Sequence, residues 1–386
     1  MRDAPPDARW RSHAVVLATG TFAVGTDAFV IAGLLPSIAE SLQVSVGRAG
    51  QLVTVFALAY AISAPLVGAL AAGWPLRTTV LAALVVLGAG NALTALAPTY
   101  SLVLAGRVVA AVGAALYTAS ATAAAAALAG PARRGRAIAI VITGSTSALV
   151  LGTSTGTAVG SALGWRVTLW LVAGLSAVAG AVVAVRLPLL RRAAAPAGPR
   201  FAPLFDRRVR GVLACTFVAF LGIFVPYTYF SAAYEPTTGG DGAHLAGLLL
   251  VFGVGGTVGN LSAGALADRF GARRVIVSVT LALAAVFGAL PLLQGSLPLA
   301  VAAAVVSGVL SFGVTAPAQQ RLVTLAPGAG PVLTALHQSA AYFAVSASGV
   351  VGAVVVDGWG GGAVGPLGAA LLLAAAALAG ARLQPP

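Results

Sequence analysis

Twelve long apolar runs, each cut off from the next by arginine, proline or glycine, leave this 386-residue chain few ways to fold. A hydrocarbon core about 30 Å thick is crossed by roughly 20 apolar residues in a helix, and in lipid the backbone must satisfy its own hydrogen bonds, which a helix does. The first six runs cover approximately 14–36, 49–71, 78–97, 100–128, 137–163 and 167–186. The second six cover approximately 210–232, 243–266, 274–293, 297–320, 332–355 and 363–382. Only 8% of the residues are charged, against about 25% in soluble domains, so water would not dissolve such a chain. The run from Ala14 to Pro36 follows Arg2, Arg9 and Arg11 much as a secretory signal would. It exceeds the roughly 7–15 residues of a signal's apolar region and reads as a first transmembrane helix. The fold class expected is an all-α membrane protein.

The basic residues orient the runs. All 22 are arginine. With the N-terminus inside, nineteen lie in cytoplasmic segments, Arg48 and Arg166 lie outside, and Arg107 lies within a helix. The opposite orientation breaks the positive-inside rule, and an even number of spans brings the C-terminus inside too. The net charge of +13 therefore reads as topology and contact with anionic lipid rather than nucleic acid. Cys215 is alone, which leaves no internal disulfide and no cysteine-based metal cluster. With no lysine and no Gly-x-x-x-x-Gly-Lys-Ser/Thr loop, no nucleotide site is expected. Three scattered histidines supply neither a metal site nor a nucleophile with its base. The sequence thus predicts no enzyme, no cofactor and no metal, and an ion gradient as the energy source.

The chain divides in two. The stretch 187–209 is charged and proline-rich and reads as a linker between a bundle at 1–186 and another at 210–386. Gly68-Ala69-Leu70-Ala71 recurs as Gly264-Ala265-Leu266-Ala267, and Arg77 matches Arg273 at the same offset. Parallel repeats related by an axis along the membrane normal are one transporter architecture.

Four stretches carry a family resemblance: Gly25 to Pro36 (GTDAFVIAGLLP), Gly264 to Arg274 (GALADRFGARR), Leu104 to Gly113 (LAGRVVAAVG), and Gly152 to Thr157 (GTSTGT) followed by Gly164-Trp165-Arg166. They resemble the first helix, the loop motif, the fourth-helix motif and the exporters' fifth-helix motif of the major facilitator superfamily. The likeness is nearest to the twelve-span drug:proton antiporters, among chloramphenicol-resistance and sugar-efflux permeases. It implies two pseudo-symmetric six-helix bundles with cytoplasmic termini in the inner membrane. The function implied is proton-coupled efflux of small amphipathic compounds, by a monomer whose partners are substrate, protons and lipid. Three departures stand out: Ala72 where the second half has Asp268, a fourth-helix motif without its usual Gln before the Gly, and Ser154 where proline is usual. Efflux of a sugar or natural metabolite stays open, as does a non-transporting sensor.

Within the spans a few residues are candidates for chemistry. An acid at a helix centre costs on the order of 2.5–3.5 kcal/mol on insertion scales, so Asp27 either carries protons or substrate or is a structural acid bonded to neighbouring helices. Arg107 needs a partner for the same reason, and Asp27 is the acid clearly inside a first-half helix; otherwise Arg107 snorkels to an interface. The resemblance implies that Arg107 assists proton transfer. Tyr227, Tyr229, Asn260, His337, Gln338 and Tyr342, together with Asp27, are the substrate-contact candidates, because rings with a few hydrogen-bonding groups suit amphipathic ligands. Each is also open to a role in interhelical bonding or, for the rings, in an interfacial aromatic belt. Gly144, Ala148, Gly152, Gly156, Gly160 and Gly164 form a smooth stripe at intervals of four, and Gly247, Gly255, Gly259 and Ala263 offer compatible spacing; the resemblance implies that the two meet at a moving seam, and plain tight packing is the other reading. Gly264, Asp268, Arg269, Gly271, Arg273 and Arg274 are expected to form a gating turn in which Asp268 caps a helix or pairs with an arginine; the other reading is a solvated topology signal.

Overall fold

A computed structural model describes residues 6–70, 74–130, 133–189, 205–325 and 330–380. Twelve helices are long and apolar enough to cross a membrane, and the described residues contain no strand. In the first half they are α1 (Pro6–Leu42), α2 (Val46–Leu70), α3 (Leu76–Leu96), α4 (Tyr100–Ala129), α5 (Arg134–Leu163) and α6 (Trp165–Arg186). In the second half they are α7 (Arg207–Thr228), α8 (Gly242–Phe270), α9 (Ala272–Leu293), α10 (Leu297–Leu322), α11 (Gly330–Trp359) and α12 (Gly361–Gly380). The fold is the all-α, twelve-span fold expected.

The ends differ from the sequence reading at prolines. The pattern stops α1 at Pro36, whereas the helix runs through it to Leu42, since lipid and neighbouring helices tolerate a lost backbone bond there. Conversely, α7 stops at Thr228, short of the expected 232, two residues after Pro226. Serines and threonines inside the spans return their hydroxyls to carbonyls one turn back, as Thr21 does to Leu17 and Thr94 to Gly90. That satisfies them without a partner helix.

Packing divides the chain into one unit of residues 1–30 and 59–196 and another of 31–58 and 197–386. Most of the expected linker, residues 190–204, lies outside the described residues, as does Ala72. In the first unit α3 and α4 touch backbone to backbone. A methyl group on Gly90 would stand 2.3 Å from the Ala110 nitrogen, and one on Gly113 2.4 Å from the Leu87 nitrogen. Only glycine permits this approach.

Each half also carries the same clamp. Arg77, at the start of α3, donates to the carbonyl of Ala184 near the end of α6. Arg273, at the start of α9, donates to the carbonyls of Ala379, at 3.0 Å, and Gly380 at the end of α12. A cation at helix C-terminal carbonyls satisfies orphan acceptors and meets the negative end of the dipole. Shifting Arg77 and Ala184 by 196 positions gives Arg273 and Gly380, so the repeat read from Gly68 and Gly264 extends to a matching contact.

Candidate functional site

Three helices of the first unit build the charged site. Asp27 on α1 and Arg107 on α4 are both buried, 0% and 1% exposed. Arg107 Nη1 donates to Asp27 Oδ1 at 2.5 Å, and Nη2 to the Asp27 backbone oxygen at 3.2 Å. The pairing expected from the cost of two lone intramembrane charges is present. Asp27 Oδ2 is buried without a hydrogen-bond partner. A carboxylate accepts several bonds when charged, so this one is held on one oxygen and open on the other.

The neighbours fix α1 in place. Tyr117, ten residues along α4, donates its hydroxyl to the Leu17 carbonyl at 2.7 Å. Its ring lies over Gly20, where an added methyl group would meet the hydroxyl oxygen at 2.2 Å. On the other side the α5 stripe lies against α1. Methyl groups on Gly144, Gly152 and Gly156 would stand 2.2 Å from the Ala18 oxygen, 2.1 Å from Thr26 Oγ1 and 2.5 Å from Val30 Cγ2. The stripe therefore serves a seam inside the first unit. In the second unit Gly255 and Gly259 approach the α10 carbonyls of Val305 and Val309. Close backbone approach thus has a use within each unit.

Beside Gly25 and Thr26 the α5 helix widens into a π turn at Ala148–Gly152, with Ala148 facing Gly25. Such turns often mark functional positions. The sequence reading also passed over Asn91, fully buried on α3, whose amide donates to Leu87 O at 3.0 Å while its Oδ1 has no partner. An amide in an otherwise apolar span was the available signal for Asn91; the π turn left none.

In the second unit Tyr227 and His337 join one chain of rings. Phe220 and Phe224 stack at 5.9 Å, Phe224 meets Tyr227 edge-on at 5.6 Å, and Tyr227 reaches Phe252 at 5.3 Å. His337 on α11 stands perpendicular to Phe220 at 6.0 Å. It is fully buried, its Nδ1 is 3.4 Å from Thr216 Oγ1, and its Nε2 has no partner. Around Tyr227 the rings leave a cavity of only about 10 Å³, room for at most a water. Phe220 and Phe224 are half-buried, as are Asn260 and Tyr342, and Gln338 is exposed.

Tyr229 is placed differently from Tyr227. It is fully buried at the break that ends α7. Its hydroxyl donates to Gly349 O at 2.6 Å, with Gly47 O at 3.2 Å. Its ring fills the space left by Gly50 on α2 and Gly352 on α11. Gln51 Nε2 also donates to Gly349 O, at 3.0 Å. Asp357, near the end of α11, accepts from Ser45 Oγ at 2.9 Å and from the Gly47 amide at 3.2 Å. An acid at the first amides of a helix is a favourable cap. This interlock gathers the start of α2 with α7 and α11 and explains why residues 31–58 group with the second half.

The turn between α8 and α9 is charged but not ion-paired in the expected way. Asp268 accepts from the Gln320 amide at 2.6 Å. Arg273 is occupied with α12 carbonyls, Arg269 lies 5.1 Å over the Phe270 ring, and Gly271 turns the chain at φ +86°. No group of three metal-ligating side chains occurs among the described residues.

Comparison with known proteins places this geometry. The family model described as Major Facilitator Superfamily matches residues 17–352. A chloramphenicol resistance protein of Streptomyces lividans is 35% identical over 369 residues, 94% of this chain and 93% of that protein. A chloramphenicol efflux pump of Mycobacterium tuberculosis is 32% identical over 268 residues, 69% of this chain and 65% of that pump. Among solved structures, a mutant form of the nucleoside transporter NupG superposes with a TM-score of 0.82 at 13% identity, over 97% of this chain and 100% of that one. Such low identity speaks for the fold alone. The chain is a multi-pass membrane protein and a member of the major facilitator superfamily.

Proposed function

We propose that this transporter exports small amphipathic drugs in exchange for protons, with Asp27 as the proton carrier and Arg107 as its counter-charge. The observation that carries the reading is the buried Asp27–Arg107 pair, with one carboxylate oxygen held and the other open. Burying two charges in an apolar bundle is weak evidence for stability, because desolvation offsets their attraction. Such a pair makes sense where the charge must change during work. Protonation of Asp27 frees Arg107; deprotonation restores the pair. That exchange gives the bundle two states that a gradient can drive.

The relatives named for chloramphenicol supply the first substrate to test. The stacked Phe220 and Phe224 with His337 offer a planar, half-open surface with one unpaired ring nitrogen, suited to an aromatic group with a polar edge. With the termini in the cytoplasm, the Tyr229 and Asp357 interlock lies at the outer end and is the contact that export must break.

The test is chloramphenicol-dependent proton release from the purified protein, followed by counterflow in liposomes. Wild type should release protons and export the drug downhill of a proton gradient. Asp27→Asn, whose amide oxygen can still accept from Arg107, should reach the membrane and bind drug but lose coupling. Full gradient-driven transport by Asp27→Asn removes Asp27 from the mechanism.

A further inference from the structure

The first unit carries a groove on its surface that the ion pair does not use. It lies between α3 and α6, has a volume of about 480 Å³, and is walled by Val85, Gly88 and Ala89 on one side and Ala177, Ala181 and Ala184 on the other. Val85 is 70% exposed, so the groove opens on the face that lipid covers. Along α3 it extends from residue 81 to residue 92. At 1.5 Å per residue that is about 16 Å, close to one leaflet of a core about 30 Å thick. Ser176 is the one polar side chain in the lining, and its hydroxyl is spent on the Val172 carbonyl at 2.9 Å. The wall asks for an apolar occupant.

One end of the groove is cationic. The Ala184 carbonyl, in the lining, accepts from Arg77 Nη2. The half-buried guanidinium thus stands at the mouth with further donors to offer, and Arg186 is exposed two residues beyond Ala184.

The repeat shows that the opening belongs to this half. Shifted by 196, Ser176 and Ala177 become Leu372 and Leu373, and Gly88 becomes Ala284. Leu372 is fully buried there against Leu283, Ala284 and Phe287. The second half fills with leucine what the first leaves open, while both keep the arginine clamp.

We propose that the groove holds one acyl chain of an anionic phospholipid, with its phosphate against Arg77 and Arg186. Bulk lipid tails are as apolar as the groove, so the charge at the mouth sets the preference. A two-fold dimer packed on this face would bring the same cations together at the same depth, which disfavours a second copy.

Native mass spectrometry of the full-length protein tests this with phosphatidylglycerol and phosphatidylcholine of identical chains. Wild type should retain one phosphatidylglycerol about tenfold more tightly than phosphatidylcholine, in line with one or two arginines near a headgroup. Arg77→Gln should bring the two lipids level. Arg273→Gln, which removes the twin clamp away from the groove, should keep the preference. Ala177→Leu, at an exposed lining position, should remove the tightly held lipid whatever its headgroup. Arg186→Gln repeats the headgroup test should Arg77→Gln fail to fold. Equal retention of both lipids by wild type overturns the proposal, as does unchanged binding by Ala177→Leu. A wild-type dimer that Ala177→Leu separates would make the groove a helix interface instead. Displacement by glycerol phosphate alone would make it an anion site rather than a lipid site.

Discussion

The two halves share a frame and differ in what they bury inside it. Both fasten the first residue or two of their third helix to the end of their sixth through an arginine, Arg77 or Arg273. The first half then buries an ion pair between its first and fourth helices. At the matching places the second half has Ile223 and Ala303. Its interior is a chain of rings, and its polar contacts gather at the Tyr229 and Asp357 interlock. A duplicated frame thus carries the charge in one copy and the aromatic surface in the other. The division of labour is in side chains, not in the helices that hold them.

The strongest way to break that comparison is to remove one member of the pair. Arg107→Leu leaves Asp27 buried and unpaired, which should cost about 3–5 kcal/mol. It should appear as a large loss of membrane-inserted protein and a lower melting temperature. Asp27→Asn with Arg107→Gln, which removes both charges, should recover most of the yield and none of the coupling. If the double variant melts no higher than Arg107→Leu, the two charges are not each other's partners in the folded protein.

The interlock should respond less. Gly352→Ala drives a methyl group to 2.4 Å from the Tyr229 ring, and the ring is held on its other side by Gly50. Overpacking of this kind costs about 1–3 kcal/mol. Tyr229→Phe should cost about 0.5–1.5 kcal/mol, because Gln51 still serves the Gly349 carbonyl. Both variants should expose a cysteine probe placed at the start of α2 more often than wild type. Unchanged labelling with normal expression would show that the interlock does not close that end.

Much of this was legible beforehand, for physical reasons that also mark where reading stopped. Span length and arginine placement follow from the bilayer, so the twelve helices could be counted from the sequence. The Asp27–Arg107 pair could be anticipated because each charge alone is too costly in an apolar helix. The glycine stripe was visible, but its partner was not: spacing says that a backbone can come close and does not say which one. Tyr229 and Tyr227 look alike in sequence, two residues apart. The break after Pro226 sends one into an interlock and leaves the other among rings, and no local pattern announces that. Asp357 was overlooked because an acid near a helix end looks like solvated charge until the helix it caps is placed beside it.

The clamps give a direct measure of how alike the halves are. Arg77→Gln and Arg273→Gln should each lower stability by about 1 kcal/mol, a charged hydrogen bond discounted for partial exposure. Arg273 serves the carbonyls of Ala379 and Gly380 and Arg77 that of Ala184, so the loss of Arg273 should be slightly the larger. A thermal melt of each variant without added lipid makes the comparison. A several-fold disparity would mean that the shared contact carries different weight in the two halves.

The smallest effect lies where the second and eighth helices begin. Ser45 and Asp241 hold matching places, 196 apart. Ser45 Oγ accepts from the Arg48 amide at 3.0 Å. Asp241 Oδ1 accepts from the amides of Ala243, at 2.7 Å, and His244, at 3.0 Å. Those N–H groups hold the Asp241 carboxyl below its usual range, the His244 amide most of all. A carboxyl whose folded value is lowered stabilises fully above its unfolded value, about 3.9, and the benefit fades as the pH falls through the lowered one. Between pH 7 and pH 5 the start of α8 should therefore keep its protection, and it should fray only in stronger acid. Asp241→Ser copies the first half's cap and should abolish that acid step while leaving neutral-pH protection almost unchanged, since serine and aspartate cap about equally well. Hydrogen exchange at Ala243 and His244, compared between the two proteins at each pH, reads this out. An acid step of the same size in Asp241→Ser would place the sensitivity elsewhere.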